Sequence, residues 1–135
     1  MTPFSLDRKM LTMQGIFYPT GNIMAMVPDR DSANAVAHAL EGQPDSAEIT
    51  LVEPSAVISV IGATVKGADD GSDLPSAGTE AATVREYVEL AQKGHYGLLI
   101  KVGNNDEAQR VMDVLHANNF SYAQRYHMLV IEDLV

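Results

Sequence analysis

The sequence has no cysteine, which excludes a disulfide scaffold, thiol catalysis and sites where thiolates hold zinc or iron–sulfur clusters. It is also poor in positive charge. Nine Lys and Arg stand against 18 Asp and Glu, a formal net charge of −9 over 135 residues. Such a surface repels phosphate backbones, so nucleic acid is not an expected partner. No apolar run reaches the roughly 18 residues that a membrane-spanning helix needs, so no membrane partner is expected. Asp7, Arg8 and Lys9 interrupt residues 1–14 where a signal peptide would place its apolar stretch, and the expected location is cytoplasmic. Hydrophobic residues make up 46% of the chain, enough to build a core, and the length suits one domain.

What the chain does contain is an internal repeat. Shifted by 75 positions, Ile23–Val27 (IMAMV) falls on Leu98–Val102 (LLIKV), Asp31 on Asp106, Ala33 on Ala108, Val36 on Val111, Leu40 on Leu115 and Ser46 on Ser121. With four extra residues in the second copy, Ile49–Glu53 (ITLVE) then falls on Met128–Glu132 (MLVIE). Each copy reads as strand, acidic turn, helix, strand. In the first helix Ala33, Val36, Ala37 and Leu40 form one stripe, with Asp31 as a cap and Gly42 at the exit. In the second, Asn104 and Glu107 have the spacing of a capping box, each side chain meeting the other residue's free N–H. Residues 21–53 are thus the first βαβ copy and 96–133 the second.

An insertion, 54–95, separates them. Ala56–Val65 (AVISVIGATV) is apolar and rich in β-branched residues; it extends the second strand or forms a short extra one, though periodicity does not decide between strand and helix. Lys66–Gly78 reads as an exposed loop, and Thr79–Lys93 as a helix with Val84, Tyr87, Val88 and Ala91 on one face, ending at Gly94. The whole, 1–135, reads as an α+β domain: a ferredoxin-like βαβ duplication with an inserted helix between the two copies. One face of its sheet needs a cover, for which the inserted helix and a second subunit are the candidates.

Strand alternation sorts the side chains by face. Taking the last strand as Tyr122–Val130, and letting polar residues mark the side away from the repeat helices, that side carries Met24, Met26, Leu99, Lys101, Arg125, His127 and His95. Lys101, Arg125, His127 and His95 form the candidate ligand site, suited to a small anion because Arg makes bidentate contacts to carboxylate or phosphate. The competing reading is structural: these cations pair with Glu80, Glu86 and Glu89 of the inserted helix, or sit in a subunit interface. No metal or cofactor is expected. The histidines lack zinc-helix spacing, Asp69–Asp73 fails the calcium-loop pattern, and Gly62–Gly67 is not followed by the Lys and Ser or Thr of a phosphate loop. The central strands have no aromatic on which to stack RNA bases.

Arg85–Glu132 (REYVELAQKGHYGLLIKVGNNDEAQRVMDVLHANNFSYAQRYHMLVIE) loosely resembles the domains of bacterial general stress proteins. In these a Tyr-bearing helix ends in Gly, a GxLLxxV strand follows, and an acidic turn leads into an Ala-rich helix. Their glycine-rich central hairpin is here only GATVKGADDG. The resemblance implies a small intracellular protein and carries over no catalytic residue. The expected function is therefore a non-enzymatic stress-related or regulatory module acting through homo-oligomeric assembly. The alternatives are a sensor of a small anion on the open sheet face and a cofactor-free enzyme of a ferredoxin-like dimer type.

Overall fold

A computed structural model describes residues 1–43, 48–65 and 75–135. It is a mixed α+β structure around one six-stranded sheet. The strands are β1 (Thr2–Pro3), β2 (Asn22–Val27), β3 (Ile49–Val52), β4 (Tyr96–Lys101), β5 (Tyr122–Tyr126) and β6 (Ile131–Asp133), in the order β1-β3-β4-β2-β5-β6. The apolar run at 23–27 is a central strand, buried on both faces. It pairs antiparallel with β4, Ile23 opposite Ile100, and with β5, Ala25 opposite Ala123. The two strands related by the 75-residue shift are therefore neighbours.

Helices α1 (Arg30–Glu41) and α4 (Asn105–Ala117) cover one face. α1 buries Ala33, Val36, Ala37 and Leu40, and α4 buries Ala108, Val111, Met112 and Leu115, on Ile23, Ala25, Leu98, Ile100 and Ala123. Both helices start alike. The Asp29 carboxylate accepts from Ser32 N–H at 2.7 Å and the Asn104 amide oxygen from Glu107 N–H at 2.9 Å. The first cap is thus Asp29 rather than Asp31. Glu107 accepts from Gly103 N–H instead of closing the expected box on Asn104.

The opposite face is covered by α3 (Pro75–Gln92), the segment 54–65 and the N-terminal segment. Phe17, Ala81, Val84, Tyr87 and Ala91 pack there on Met24, Met26, Val52, Leu99 and Tyr126. Contact is close at Gly97, where an added Cβ would stand 2.8 Å from Met24 Cε. The N-terminal segment is tied in by Phe17 N–H to Thr64 Oγ1 at 3.1 Å and by Tyr18 Oη to the His127 carbonyl at 2.8 Å. Buried within the aromatics, the Tyr87 and Tyr126 hydroxyls meet at 2.7 Å.

One open reading is settled and two expectations are corrected. Residues 54–65 are helical rather than extended: α2 (Pro54–Ala56) runs into a π-helical turn, Val57–Ile61, and a 3-10 turn, Gly62–Val65. Pro54 supplies the helix-ready φ at the first position. The buried residues Val57, Ile61 and Val65 recur every four positions, while Ser59, which a strand would bury beside them, is exposed. The inserted helix begins at Pro75, so the loop reading is wrong for 75–78; its remainder, 66–74, lies outside the described residues, as does Ser46. Finally, the last strand is broken. β5 ends at Tyr126, and the residues that return from α4 to the sheet are 122–126, not the MLVIE run, which forms a hairpin tip and β6.

Candidate functional site

The hairpin sets the geometry of the site. His127 N–H donates to the Val130 carbonyl at 2.9 Å, turning the chain over Met128 and Leu129, and β6 returns with Ile131 opposite Tyr126 and Glu132 opposite Arg125. Along β5, Tyr122 and Tyr126 point towards α3, whereas Ala123 lies under α1 and α4. Alternation therefore carries Arg125 to the α4 side of the sheet. A groove of about 430 Å³ opens there between the start of α4 and the hairpin. Ala108, Met112 and Leu134 give it apolar surface; Asn105, Gln109, Arg125, His127 and Glu132 give it polar groups.

Each polar group is held by its own local chemistry. Asn105 and Gln109 share a face of α4 by their i,i+4 spacing. Arg125 Nη1 donates to Asn105 Oδ1 at 2.7 Å, so the guanidinium leans on a neutral acceptor. Glu132, its cross-strand neighbour, turns instead to His127, with Oε1 2.9 Å from Nε2. Gln109 donates to Asp113 at 3.0 Å.

The four expected site residues do not form one cluster, and the common open face assigned to them is corrected. Arg125 and His127 share the groove, on the α4 side. Lys101, with its side chain 70% exposed, stands at the far end of β4, 3.9 Å from Glu48. The pocket beside it, under Leu40, Val102 and Arg110, measures about 20 Å³, the scale of a single water. His95 lies at the opposite end of the strands, its Nδ1 2.7 Å from Ser121 Oγ. The Ser32 N–H, then the Ser32 side chain, hold the Asp29 carboxyl below its ordinary range, with a smaller coulombic contribution from His95. None of these cations pairs with Glu80, Glu86 or Glu89 in an ion pair among the described residues. The polar residues of β5 misled because both faces of the sheet are covered. What they mark is a helix flank and a hairpin, not an open face.

The tyrosines are a second concentration of perturbed groups. Burial pushes the Tyr87 hydroxyl well above its ordinary value and raises Tyr126, Tyr18 and Tyr122 as well. The Tyr126 hydroxyl is taken by Tyr87, with the Tyr18 ring edge-on at 4.9 Å, so this cluster fills the core rather than lining a cleft. Among the described residues no group of three or more His, Asp or Glu could hold a metal ion, and no helix is long and apolar enough to cross a membrane. The hairpin was missed because its tip, His127–Val130, contains no Gly, Pro, Asn or Asp to signal a turn. Neither a family model, nor a curated protein, nor a solved structure matches the chain.

Proposed function

We propose that the chain is a non-enzymatic module, stress-related or regulatory, that acts by assembling with copies of itself. Its core is proposed as a ferredoxin-like βαβ duplication with α3 and its approach inserted between the copies. The antiparallel order β3-β4-β2-β5, with α1 and α4 on one face, supports that architecture. The loose resemblance of 85–132 to general-stress domains supports the role.

The observation that carries assembly is the hairpin tip. Met128, Leu129 and Val130 are 81%, 90% and 61% exposed, three consecutive large apolar residues in solvent. Two-residue hairpin turns favour Asn, Asp and Gly, so Met-Leu there serves neither the turn nor solubility. Burying such side chains yields about 1.5–3 kcal/mol each when fully removed from water. The tip is uncharged, with Arg125 and His127 behind it on one strand and Glu132 and Asp133 on the other. That pattern is self-complementary about a two-fold axis. The acidic β6 edge opposes open-ended strand addition and so restricts the contact to the tip.

Light scattering at tens of micromolar tests this. The chain should show at least twice its 14.6 kDa mass. A Met128→Asn/Leu129→Gly variant, which gives the turn favourable residues while removing its apolar surface, should run at the single-chain mass. A native chain at 14.6 kDa throughout would end the proposal.

A further inference from the structure

We infer that the groove between α4 and the β5–β6 hairpin is a binding site for a small organic monocarboxylate with a short apolar body. The inference is separate from self-assembly and rests on the groove alone.

The first ground is the state of Arg125. Its guanidinium carries five N–H donors, and its hydrogen bond among the described residues goes to the neutral oxygen of Asn105. In a chain of net charge −9, acidic partners abound, yet the cross-strand Glu132 is engaged by His127 rather than by Arg125. A guanidinium with spare donors lines the groove, and a carboxylate matches its planar fork with two parallel hydrogen bonds.

The second ground is shape and lining. About 430 Å³ falls within the range of small-molecule sites, and such sites combine an apolar surface with a few placed polar groups. Here Ala108, Met112 and Leu134 supply the apolar surface, and the adaptable Met112 thioether suits an aliphatic chain. Asn105 and Gln109 add amide groups on the Arg125 side of α4.

The third ground is the charge around it. Glu132 lines the same groove. Its carboxylate raises the cost of a doubly charged anion, since like charges repel at short range. One negative charge, set against Arg125 and continuing into an apolar body, is the ligand that this arrangement favours over phosphate.

Titration with sodium hexanoate, followed by thermal shift and by amide NMR, tests the site, with hexanol, hexylammonium and inorganic phosphate as controls. Hexanoate should raise the melting temperature saturably, because binding to the folded state stabilises it. It should also shift the amides of Asn105, Gln109 and Met112. Arg125→Gln should weaken binding about tenfold or more, and Arg125→Lys, which keeps the charge but loses the fork, by less. The ligand-induced change is read within each variant, so a lower baseline stability does not confuse the result. Binding should persist in Met128→Asn/Leu129→Gly, which separates it from assembly. Absence of saturable binding, equal affinity in Arg125→Gln, equal binding of hexanol, or tighter binding of phosphate than of hexanoate would each overturn the inference.

Discussion

Ile23, Ala25 and Leu98 on one side of the sheet lie under two helices whose buried residues stand 75 positions apart, Ala33, Val36, Ala37 and Leu40 against Ala108, Val111, Met112 and Leu115. Met24, Met26 and Leu99 on the other side lie under one helix, a π-helical turn and an N-terminal segment, with Phe17, Tyr87 and Tyr126 among them. The first side is aliphatic and repetitive. The second is aromatic and carries buried hydroxyls, which must find partners. The two sides should therefore fail differently, one by opening cavities and the other by stranding polar groups.

The largest expected effect is on the aliphatic side. Leu115 is fully buried and Leu40, its counterpart 75 positions earlier, is 4% exposed. Truncating either to Ala removes the transfer gain and leaves a cavity, at a cost of about 2–5 kcal/mol. Urea denaturation of Leu40→Ala and Leu115→Ala should give losses of similar size. A large loss for one and almost none for the other would show that the two helices do not contribute equally to one core.

The same contrast explains what the sequence revealed. α1 and α4 were legible because their apolar residues recur at helical spacing and their first turns carry Asx caps. The pairing of β2 with β4 followed from the repeat, and the buried face of α3 from Val84, Tyr87 and Ala91. The aromatic side was less legible. Residues 54–65 have the β-branched composition of a strand, but α3 and the sheet bury Val57, Ile61 and Val65, and that tertiary gain outweighs propensity. The candidate groove is half legible: alternation puts Arg125 and His127 on one face and both line the groove, but the face and the companions differ. Polarity marks an open face only where a sheet face is uncovered; here α3 covers that face and Arg125 emerges along the flank of α4.

On the aromatic side the sharper experiment is a double-mutant cycle across Tyr87 and Tyr126, whose hydroxyls are 2.7 Å apart. Tyr87→Phe or Tyr126→Phe leaves one buried hydroxyl unpaired, costing about 1–3 kcal/mol. The double Phe variant removes both polar groups and should cost less than the sum of the singles, the difference being the coupling. Alkaline pH provides a second reading. Both hydroxyls titrate above their ordinary value when folded, so their contribution is complete below about pH 10 and is lost as the pH rises towards the folded values. The double variant should lose less stability between pH 9 and the alkaline limit than the native chain. Additive singles with an unchanged alkaline slope would mean that the pair is only packed, not coupled.

The smallest effect distinguishes the two helices of the aliphatic side from each other. Asn104→Ala removes a neutral cap and should cost about 1 kcal/mol at any pH at which the fold survives. Asp29 caps α1 with a charge. The Ser32 N–H holds its carboxyl below the ordinary value, so its contribution is present above about pH 4 and is lost as the pH falls through the folded value. Asp29→Asn keeps an oxygen acceptor and discards the titration. Melting temperatures of the native chain and Asp29→Asn should therefore differ more at pH 7 than at pH 3, while the gap between native and Asn104→Ala should hold. A native-to-Asn gap that is the same at both pH values would show that the charge at Asp29 adds nothing to the hydrogen bond, and would make the two caps equivalent in chemistry as well as in geometry.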